Sequence, residues 1–390
     1  MSEECRSEHF PAYQVHLCLV SDQPLPNLIP VMAAPDPPEL VVLLVSPAMK
    51  MRAAMLAKSF SDLGCQTEEI AIAPYDIDRI RETVLGVLSS LDGRRVVLNA
   101  TGGTKIMAMG AYDVFREMGC DAFYVDTLNG KIISVLPQSA IAPLPEIIRV
   151  KSYLSAYGYR IRQTGCCQVA VKRQELAERI IAGAKRFAPA LTILNACAGA
   201  AKEQKRLSGK LEDRHLSFSI LMELADLFEQ AEILEREGAW LKFADEDALF
   251  FANGGWLEEH LVKLFNRLKG EKIIHDHQCN VQVETQSGLR NEIDLAFTAG
   301  NRLHLIEAKT GRLGEKEGRE SRADGVAYKL DNLRDLMGGT LGRAMLVSYQ
   351  NLKSIDRTRC RENGIEVVEG ADLRNLEERL RDWIGVGRNG

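Results

Sequence analysis

Two acidic residues and a lysine in the last third of the chain have the types and spacing that could do chemistry. They lie in the stretch NEIDLAFTAGNRLHLIEAKTG, residues 291–311, as Asp294, Glu307 and Lys309. The runs EIDLAF and LHLIEAK within it are typical of β-strands. Because side chains alternate between the faces of a strand, Glu307 and Lys309 point to the same side. If the two strands are neighbours, Asp294 joins them, and the three side chains form either a solvated ion cluster or a metal site.

A metal site would give these residues a defined reaction chemistry. Carboxylates bind hard divalent cations such as Mg²⁺ or Mn²⁺, and such cations neutralise the charge that develops on a phosphodiester. The lysine could orient or deprotonate a water molecule, or stabilise charge on a phosphate. Glu258, on the helix before the strands, is placed to complete the cluster because it lies at the border of that helix's apolar face. Glu259 is expected to face solvent instead.

The alternative is a surface ion pair, which contributes only about 0–1 kcal/mol. The apolar run LHLI before Glu307 and the apolar neighbours of Asp294 favour the metal site, because they place the charges at the end of a buried strand. We therefore predict Glu258, Asp294 and Glu307 as metal ligands, and Lys309 as a catalytic residue beside them.

Three loops in the first third of the chain are candidates for a ligand pocket. Each follows a short apolar run: SDQPLPN follows VHLCLV, SPAMK follows ELVVLLV and TGGTK follows RRVVLNA. Ligands of doubly wound sheets bind outside the carboxyl ends of the strands. The predicted ligand contacts are Ser21, Asp22, Gln23, Asn27, Ser46, Lys50, Thr101, Gly102, Gly103, Thr104 and Lys105.

The TGGTK loop carries the strongest signal of the three. Gly102 and Gly103 allow the backbone to approach a ligand, and a helix that begins near Thr104 offers free N–H groups to a phosphate. A tight turn without a ligand is the alternative. The loop matches neither GxGxxG nor GxxxxGK[ST], which disfavours a dinucleotide or a nucleoside triphosphate.

The elements that must position these residues divide the chain into three predicted domains. Strand-like and helix-like runs alternate over residues 12–136, which predicts a mostly parallel, doubly wound sheet in a first domain, 1–144. Residues 145–245 are mainly helical in pattern, with a possible small winged-helix element. From 246 to 390, an amphipathic helix, three strands, a helix, a strand and a final helix predict a second α/β domain.

Bulk composition is that of a globular protein without a membrane partner. The chain has 390 residues, of which 46% are hydrophobic and 26% charged, and its net charge is −5. No apolar run reaches the roughly 20 residues that cross a bilayer. Nine scattered cysteines without a CxxC pair favour a reducing, cytoplasmic location. A basic segment at 151–210 could guide a nucleic-acid backbone, contribute to a dimer interface or be a solvated helix face.

The order of the C-terminal residues resembles the PD-(D/E)xK nuclease superfamily. A helix Glu, the strand NEID and then EAK after an apolar strand occur in that sequence over about residues 250–385. The proline that the superfamily places before its first acid is replaced by Ile293, which removes no ligand. The resemblance implies a restriction-endonuclease-like fold and metal-dependent cleavage of phosphodiesters.

The NATGGTK loop at 99–105 resembles that of CARF domains, the Rossmann-like sensors of type III CRISPR effectors. With the nuclease-like end, the whole chain resembles CARF–nuclease effectors. The resemblance implies a homodimer activated by cyclic tetra-adenylate that uses Mn²⁺ or Mg²⁺ to cleave single-stranded DNA or RNA, or to nick duplex DNA. A CARF-controlled, DNA-binding transcription regulator with an inactive nuclease-like domain is the alternative, and a ring nuclease that degrades its own ligand ranks below it.

Overall fold

The computed structural model describes residues 12–311 and 322–385, which fall into two compact units. The first unit comprises Met1–Ile161 with Glu284–Leu289, and the second comprises Arg162–Val283 with Arg290–Gly390. The predicted middle and C-terminal domains thus share one unit. None of the helices in the described ranges is long and apolar enough to cross a lipid bilayer.

The first unit is built on a seven-stranded sheet in the order β3-β2-β1-β4-β5-β6-β7. The first five strands are parallel, and the last two add antiparallel pairs at one edge. The strands are β1 (Val15–Leu19), β2 (Leu40–Val45), β3 (Gln66–Ala71), β4 (Val96–Asn99), β5 (Asp121–Asp126), β6 (Lys131–Leu136) and β7 (Ala140–Pro143). The predicted doubly wound sheet is confirmed.

The central strands β1, β2 and β4 are buried almost throughout, as expected for a parallel sheet covered on both faces. The helices are α1 (Leu25–Ala33), α2 (Lys50–Ser61), α3 (Ile77–Ser90), α4 (Lys105–Glu117) and α5 (Val150–Ala156). Because β1 lies between β2 and β4, strand order reverses at β1, and a ligand crevice is expected at its carboxyl end.

The second unit begins with a helical part that contains a winged-helix arrangement. A long helix is followed by a strand, two helices and a two-stranded hairpin, and the three strands form an antiparallel sheet in the order β10-β11-β9. The elements are β8 (Arg160–Gln163), α6 (Val171–Ala182), α7 (Ala184–Glu203), β9 (Ser208–Lys210), α8 (Asp213–Leu216), α9 (Ser219–Gln230), β10 (Leu234–Glu237) and β11 (Trp240–Phe243).

The C-terminal part of the second unit is an α/β fold around the sheet β16-β15-β14-β13-β12, which residues 162–163 of β8 continue. Its elements are α10 (Glu246–Phe250), α11 (Trp256–Gly270), β12 (Asp276–Glu284), β13 (Arg290–Ala299), β14 (Arg302–Lys309), α12 (Arg322–Gly338), β15 (Arg343–Ser348), α13 (Ser354–Glu362), β16 (Ile365–Glu369) and α14 (Leu376–Ile384). One apolar core joins residues of α10, α11, β12 to β16 and α14 to α6, α7 and α9, so the nuclease-like sheet and the helical part stabilise each other.

Candidate functional site

Asp294, Glu307 and Lys309 meet in one cluster at the end of two paired strands. β13 and β14 are antiparallel, with Leu295 opposite Ile306. The ammonium group of Lys309 lies 2.8 Å from Glu307 Oε1 and 3.2 Å from Asp294 Oδ2. The strand pairing that would bring the three side chains together is therefore present, and the lysine bridges both acids.

Both carboxylates are held away from water. Asp294 is 8% exposed and Glu307 is 3% exposed. The backbone N–H of Ala308 donates to Asp294 Oδ2 at 2.8 Å, which fixes the carboxylate against the neighbouring strand. Burial, followed by the negative charge of Glu307, raises the pKa of Asp294. A surface ion pair would be solvated, so this burial supports a functional cluster over the surface alternative.

Glu258 lies in the first turn of α11, facing the same cluster. Its Oε2 is buried and has no hydrogen-bond partner within residues 12–311 and 322–385. Burial, and then the charge of Asp294, raise the pKa of Glu258 to about 8. Glu259 is only partly exposed, and its carboxylate accepts a 3.1 Å bond from Arg173, so the expectation that it faces solvent is wrong.

A buried contact fixes the start of α11. Gly254 has a φ of 117°, a conformation that favours glycine, and a Cβ at this position would lie 2.2 Å from Thr310 Oγ1. The side-chain amide of Asn195, on α7, is 3.0 Å from the same hydroxyl. Since Thr310 directly follows Lys309, this contact couples the turn before Glu258 to the end of β14.

Lys329 is a fourth charged member that the sequence analysis missed. It lies on α12, and its ammonium donates to both oxygens of Glu307, at 3.0 and 2.8 Å. The sequence signal was weak: a lysine between the buried Ala327 and Leu330, on a helix that follows the EAK strand.

The residues present fit a hard divalent cation, although the acids are held by lysines here. Among residues 12–311 and 322–385, no three His, Cys, Asp or Glu side chains are already gathered as a metal cage. Asp294 and Glu307 are instead neutralised by Lys309 and Lys329. The donors are carboxylate oxygens, which Mg²⁺ and Mn²⁺ prefer, and in the described part of the chain Glu258 Oε2 is a buried acceptor without a hydrogen-bond partner.

In the first unit, two of the predicted ligand loops meet at the carboxyl end of β1. A Cβ on Gly102 would lie 1.9 Å from the carbonyl oxygen of Leu19 and 3.4 Å from Ser21 Oγ. Only glycine allows this approach. Gly103 has a φ of 70°, which also favours glycine. The TGGTK loop therefore packs its backbone against the last residue of β1.

The hydroxyl groups of the two threonines of this loop form hydrogen bonds within the fold. Thr101 Oγ1 donates to Asn99 Oδ1 at 2.6 Å and accepts the Val125 N–H at 2.8 Å. Thr104 Oγ1 caps α4 by accepting the Met107 N–H, and it donates to the carbonyl of Pro74 at 2.6 Å. Lys105, the first residue of α4, is exposed. What the loop offers a ligand is its backbone and this lysine.

The first predicted loop divides into a buried and an accessible part. Asn27 is 1% exposed and donates to the carbonyl of Leu19 at 2.9 Å, so its side chain anchors α1 to the end of β1. Gln23 accepts a 2.7 Å hydrogen bond from the Tyr157 hydroxyl, and Asp22 pairs with Arg52 at 3.5 Å.

Tyr157 and Arg52 were not predicted from the sequence, because nothing local marks them as neighbours of the first loop. In the second predicted loop, Ser46 is buried at the end of β2, and Lys50 is exposed at the first position of α2.

Two family profiles match the chain. Residues 15–153 match the profile described as "Card1 CARF domain", and residues 245–386 match that described as "Card1-like, endonuclease domain". No curated protein matches the chain. The first profile covers the sheet with the TGGTK loop, and the second covers all four members of the acid–lysine cluster and Glu258.

Solved structures resemble nearly the whole chain. Protein VC1899 from Vibrio cholerae is 26% identical with a TM-score of 0.86, and the match covers 95% of this chain and 97% of that one. Can2 from Sulfobacillus thermosulfidooxidans, solved in complex with cyclic tetra-adenylate, is 27% identical with a TM-score of 0.80, over 95% and 99% of the two chains.

A third structure, a type III CRISPR defence DNA nuclease activated by cyclic oligoadenylate, shares the fold at 18% identity. Its TM-score is 0.57, and the match covers 95% of this chain but 52% of that protein.

Proposed function

Since the chain is a CARF–endonuclease protein of the Card1 type, we propose that it is a divalent-metal-dependent nuclease switched on by a cyclic oligoadenylate. The observation that carries the proposal is the buried contact of Lys309 with both Asp294 and Glu307. The similar Can2 was solved with cyclic tetra-adenylate, which supports that ring as the activator. The protein would serve type III CRISPR antiviral defence.

Glu258, Asp294 and Glu307 would hold Mn²⁺ or Mg²⁺ in the PD-(D/E)xK manner. When bound, the cation supplies Lewis-acid activation of water and stabilises charge on the phosphodiester. Burial opposes the charge on Lys309, but the adjacent Asp294 and Glu307 outweigh it and raise its pKa above the ordinary value. These acids hold Lys309 as an ammonium group in the metal-free protein, and beside a bound cation it would orient or deprotonate a water molecule or stabilise charge on a phosphate.

The activator would lie at the carboxyl ends of β1, β2 and β4. Thr101 through Lys105 would meet its phosphates with backbone N–H groups and a lysine, and two further loops would line the pocket through Ser21, Asp22, Gln23, Ser46 and Lys50. We propose a homodimer in which one ring spans both copies. Such a ligand activates only through its higher affinity for the active state.

The substrate would be single-stranded DNA or RNA, or duplex DNA that is nicked. We place the protein in the cytoplasm, because the eight cysteines of the described residues are all unpaired and reducing compartments keep thiols in that form.

A cleavage assay tests the proposal. Labelled single-stranded DNA and RNA are incubated with Mn²⁺ and rings of four or six adenylates, using wild type, Glu307→Gln and the surface control Glu178→Gln. We expect cleavage only with activator and metal, abolished in Glu307→Gln and retained in Glu178→Gln, whose carboxylate pairs with Lys263 on the surface. Cleavage that ignores the ring, or survives Glu307→Gln, would contradict the proposal.

A DNA-binding transcription regulator is the second candidate, because the second unit contains a winged-helix arrangement. Its α9, which would enter the DNA groove, carries Glu223, Asp226 and Glu229 and no Lys or Arg. Like charges against phosphate disfavour that use. Sequence-specific duplex binding without metal-dependent cleavage would favour the regulator instead.

A further inference from the structure

Glu307 is held by two ammonium groups that come from different elements. Lys309 follows it on the same strand, at 2.8 Å from Oε1. Lys329 reaches it from α12 and contacts both oxygens, at 3.0 and 2.8 Å. A single lysine is enough to neutralise one carboxylate, and Lys309 already bridges it to Asp294. The second lysine therefore requires an explanation.

The charges of the cluster balance without any metal ion. Asp294 and Glu307 carry two negative charges, and Lys309 and Lys329 carry two positive ones. A divalent cation that enters this cluster would lie next to the positive charges of Lys309 and Lys329. Repulsion between like charges is unfavourable at such short distances. One ammonium group must withdraw from Glu307 for the cation to gain that ligand.

Lys329 is the ammonium group that can withdraw. Lys309 contacts two acids and is continuous with the strand that carries Glu307, whereas within the described residues Lys329 forms its ion pair with Glu307. The side chain of Lys329 is 34% exposed, so its flexible stem has access to solvent. Tyr328, the preceding residue, is 61% exposed on the same helix.

We propose that Lys329 is a positioning residue with two partners: it neutralises Glu307 in the metal-free protein, and it turns to a phosphate of the nucleic-acid substrate when a divalent cation takes that carboxylate. This rests on the proposed nuclease function. The released ammonium remains within a lysine's reach of the cluster, and a phosphodiester anion is the group that nuclease chemistry brings there. An exposed tyrosine next to it would stack on a base of a single strand.

Two binding measurements on the full-length protein test this role without relying on cleavage. Mn²⁺ binding is followed by the electron paramagnetic resonance of free Mn²⁺. Binding of a fluorescent single-stranded DNA oligonucleotide is followed by anisotropy, with Ca²⁺ present and salt varied. The variants are Lys329→Met, Lys329→Gln and Lys329→Arg. Lys269→Met is the matched control, because Lys269 also pairs with an acid, Asp276, at 2.9 Å.

For Lys329→Met and Lys329→Gln we expect Mn²⁺ to bind about 10-fold tighter, because Glu307 has lost a competing cation. The oligonucleotide should bind more weakly, and the slope of log affinity against log salt should shrink by about 0.7, the contribution of one single-strand phosphate contact. Lys329→Arg and Lys269→Met should stay within about threefold of wild type in both measurements.

Unchanged or weaker Mn²⁺ binding in both neutral variants, or an unchanged salt slope, would overturn the proposal, since a purely structural lysine moves neither quantity in these directions. If Lys329→Met does not fold, as judged by its thermal transition, Lys329→Gln decides. A wild-type protein that binds no Mn²⁺ and cleaves nothing with activator would refute the nuclease function itself. Wild-type cleavage with wild-type-like Lys329 variants refutes only the role of Lys329.

Discussion

The TGGTK loop of the first unit differs from the acid–lysine cluster of the second, Asp294, Glu307, Lys309 and Lys329, in which polar groups it leaves available to a ligand. In the loop, the hydroxyls of Thr101 and Thr104 form internal hydrogen bonds, so the backbone N–H groups are the donors that a ligand could contact. In the cluster, charged groups neutralise one another, while Glu258 keeps a buried oxygen without a hydrogen-bond partner among the described residues. On the proposed function, the first site would be preformed, and the second would have to rearrange when a metal ion binds.

The difference follows from what each site would bind. A ring of phosphates needs N–H donors at fixed positions, and a helix start behind a glycine turn supplies them without any rearrangement. A divalent cation needs several anionic oxygens close together, which repel each other when the cation is absent. A metal site would therefore need cations such as Lys309 and Lys329 while it is empty, and a phosphate site would not.

The largest effect is expected for Gly102→Ala, which tests the TGGTK loop. A Cβ there would lie 1.9 Å from the carbonyl oxygen of Leu19, so the loop or β1 must shift. We expect the unfolding free energy of the first unit to fall by more than about 4 kcal/mol, with loss of cyclic tetra-adenylate binding by calorimetry. Gly86→Ala is the control: it lies within α3 with nothing within 4 Å of its Cβ, so it should be neutral or stabilising. Mn²⁺ binding at the second unit should survive in both; a Gly102→Ala protein that still binds the ring would contradict this.

The corresponding test of the acid–lysine cluster is Asp294→Asn. The amide oxygen can still accept the Ala308 N–H, so the local fold is kept while one negative charge is removed. We expect activator-dependent cleavage to fall about 1000-fold, or about 4 kcal/mol in activation free energy, with Mn²⁺ affinity lost. The thermal midpoint of the metal-free protein should change little, because relief of the repulsion from Glu307 offsets the weakened contact with Lys309. A marked fall in that midpoint would show that Asp294 is structural instead.

Acid should weaken both units through buried neutral histidines. Burial lowers the pKa of His304 to about 3, from an ordinary 6.5, and that of His16 to about 4. A group with a lowered folded pKa contributes stability above its unfolded pKa and loses it as pH falls, here from 6.5 towards 3. We expect each histidine to cost about 3 kcal/mol of unfolding free energy between pH 7 and pH 4.

His304→Phe sharpens this test, because phenylalanine can keep the stacking on Phe297 at 4.5 Å between ring centroids. Urea unfolding at pH 7 and pH 4 should show a smaller acid loss for the second unit in this variant, and His16→Phe should do the same for the first. Equal pH dependence in wild type and both variants would exclude the histidines as the cause.

The smallest expected effect is that of Lys105→Ala. Lys105 is exposed at the start of α4, where its charge can meet a phosphate. We expect cyclic tetra-adenylate to bind about 10-fold more weakly, or about 1.4 kcal/mol, with an unchanged thermal midpoint. Lys58→Ala, at the last turn of α2 and outside the three loops, is the control. If both variants bind equally well, Lys105 has no part in the pocket.

Sequence patterns predicted the strands that carry the chemistry. The runs EIDLAF and LHLIEAK are parts of β13 and β14. The runs VHLCLV, ELVVLLV and RRVVLNA contain β1, β2 and β4. These elements have strong local signals, because continuous apolar or alternating residues fit only a limited set of strand environments. The helix α13 and the strand β16 were not predicted, since α13 is mostly polar and β16 is a run of only five residues, IEVVE.

The sequence by itself determined which chemical groups are available: two acids and a lysine in apolar strand-like runs, a third acid on the preceding helix, and a glycine pair after another such run. It determined them because strand periodicity and glycine conformation are local properties. Only the tertiary structure decided that Lys329 joins Glu307 from 22 positions away, that Tyr157 meets Gln23 across 134 positions, and that Asn27 faces inward. Such contacts depend on how helices pack on a sheet, which no local pattern specifies.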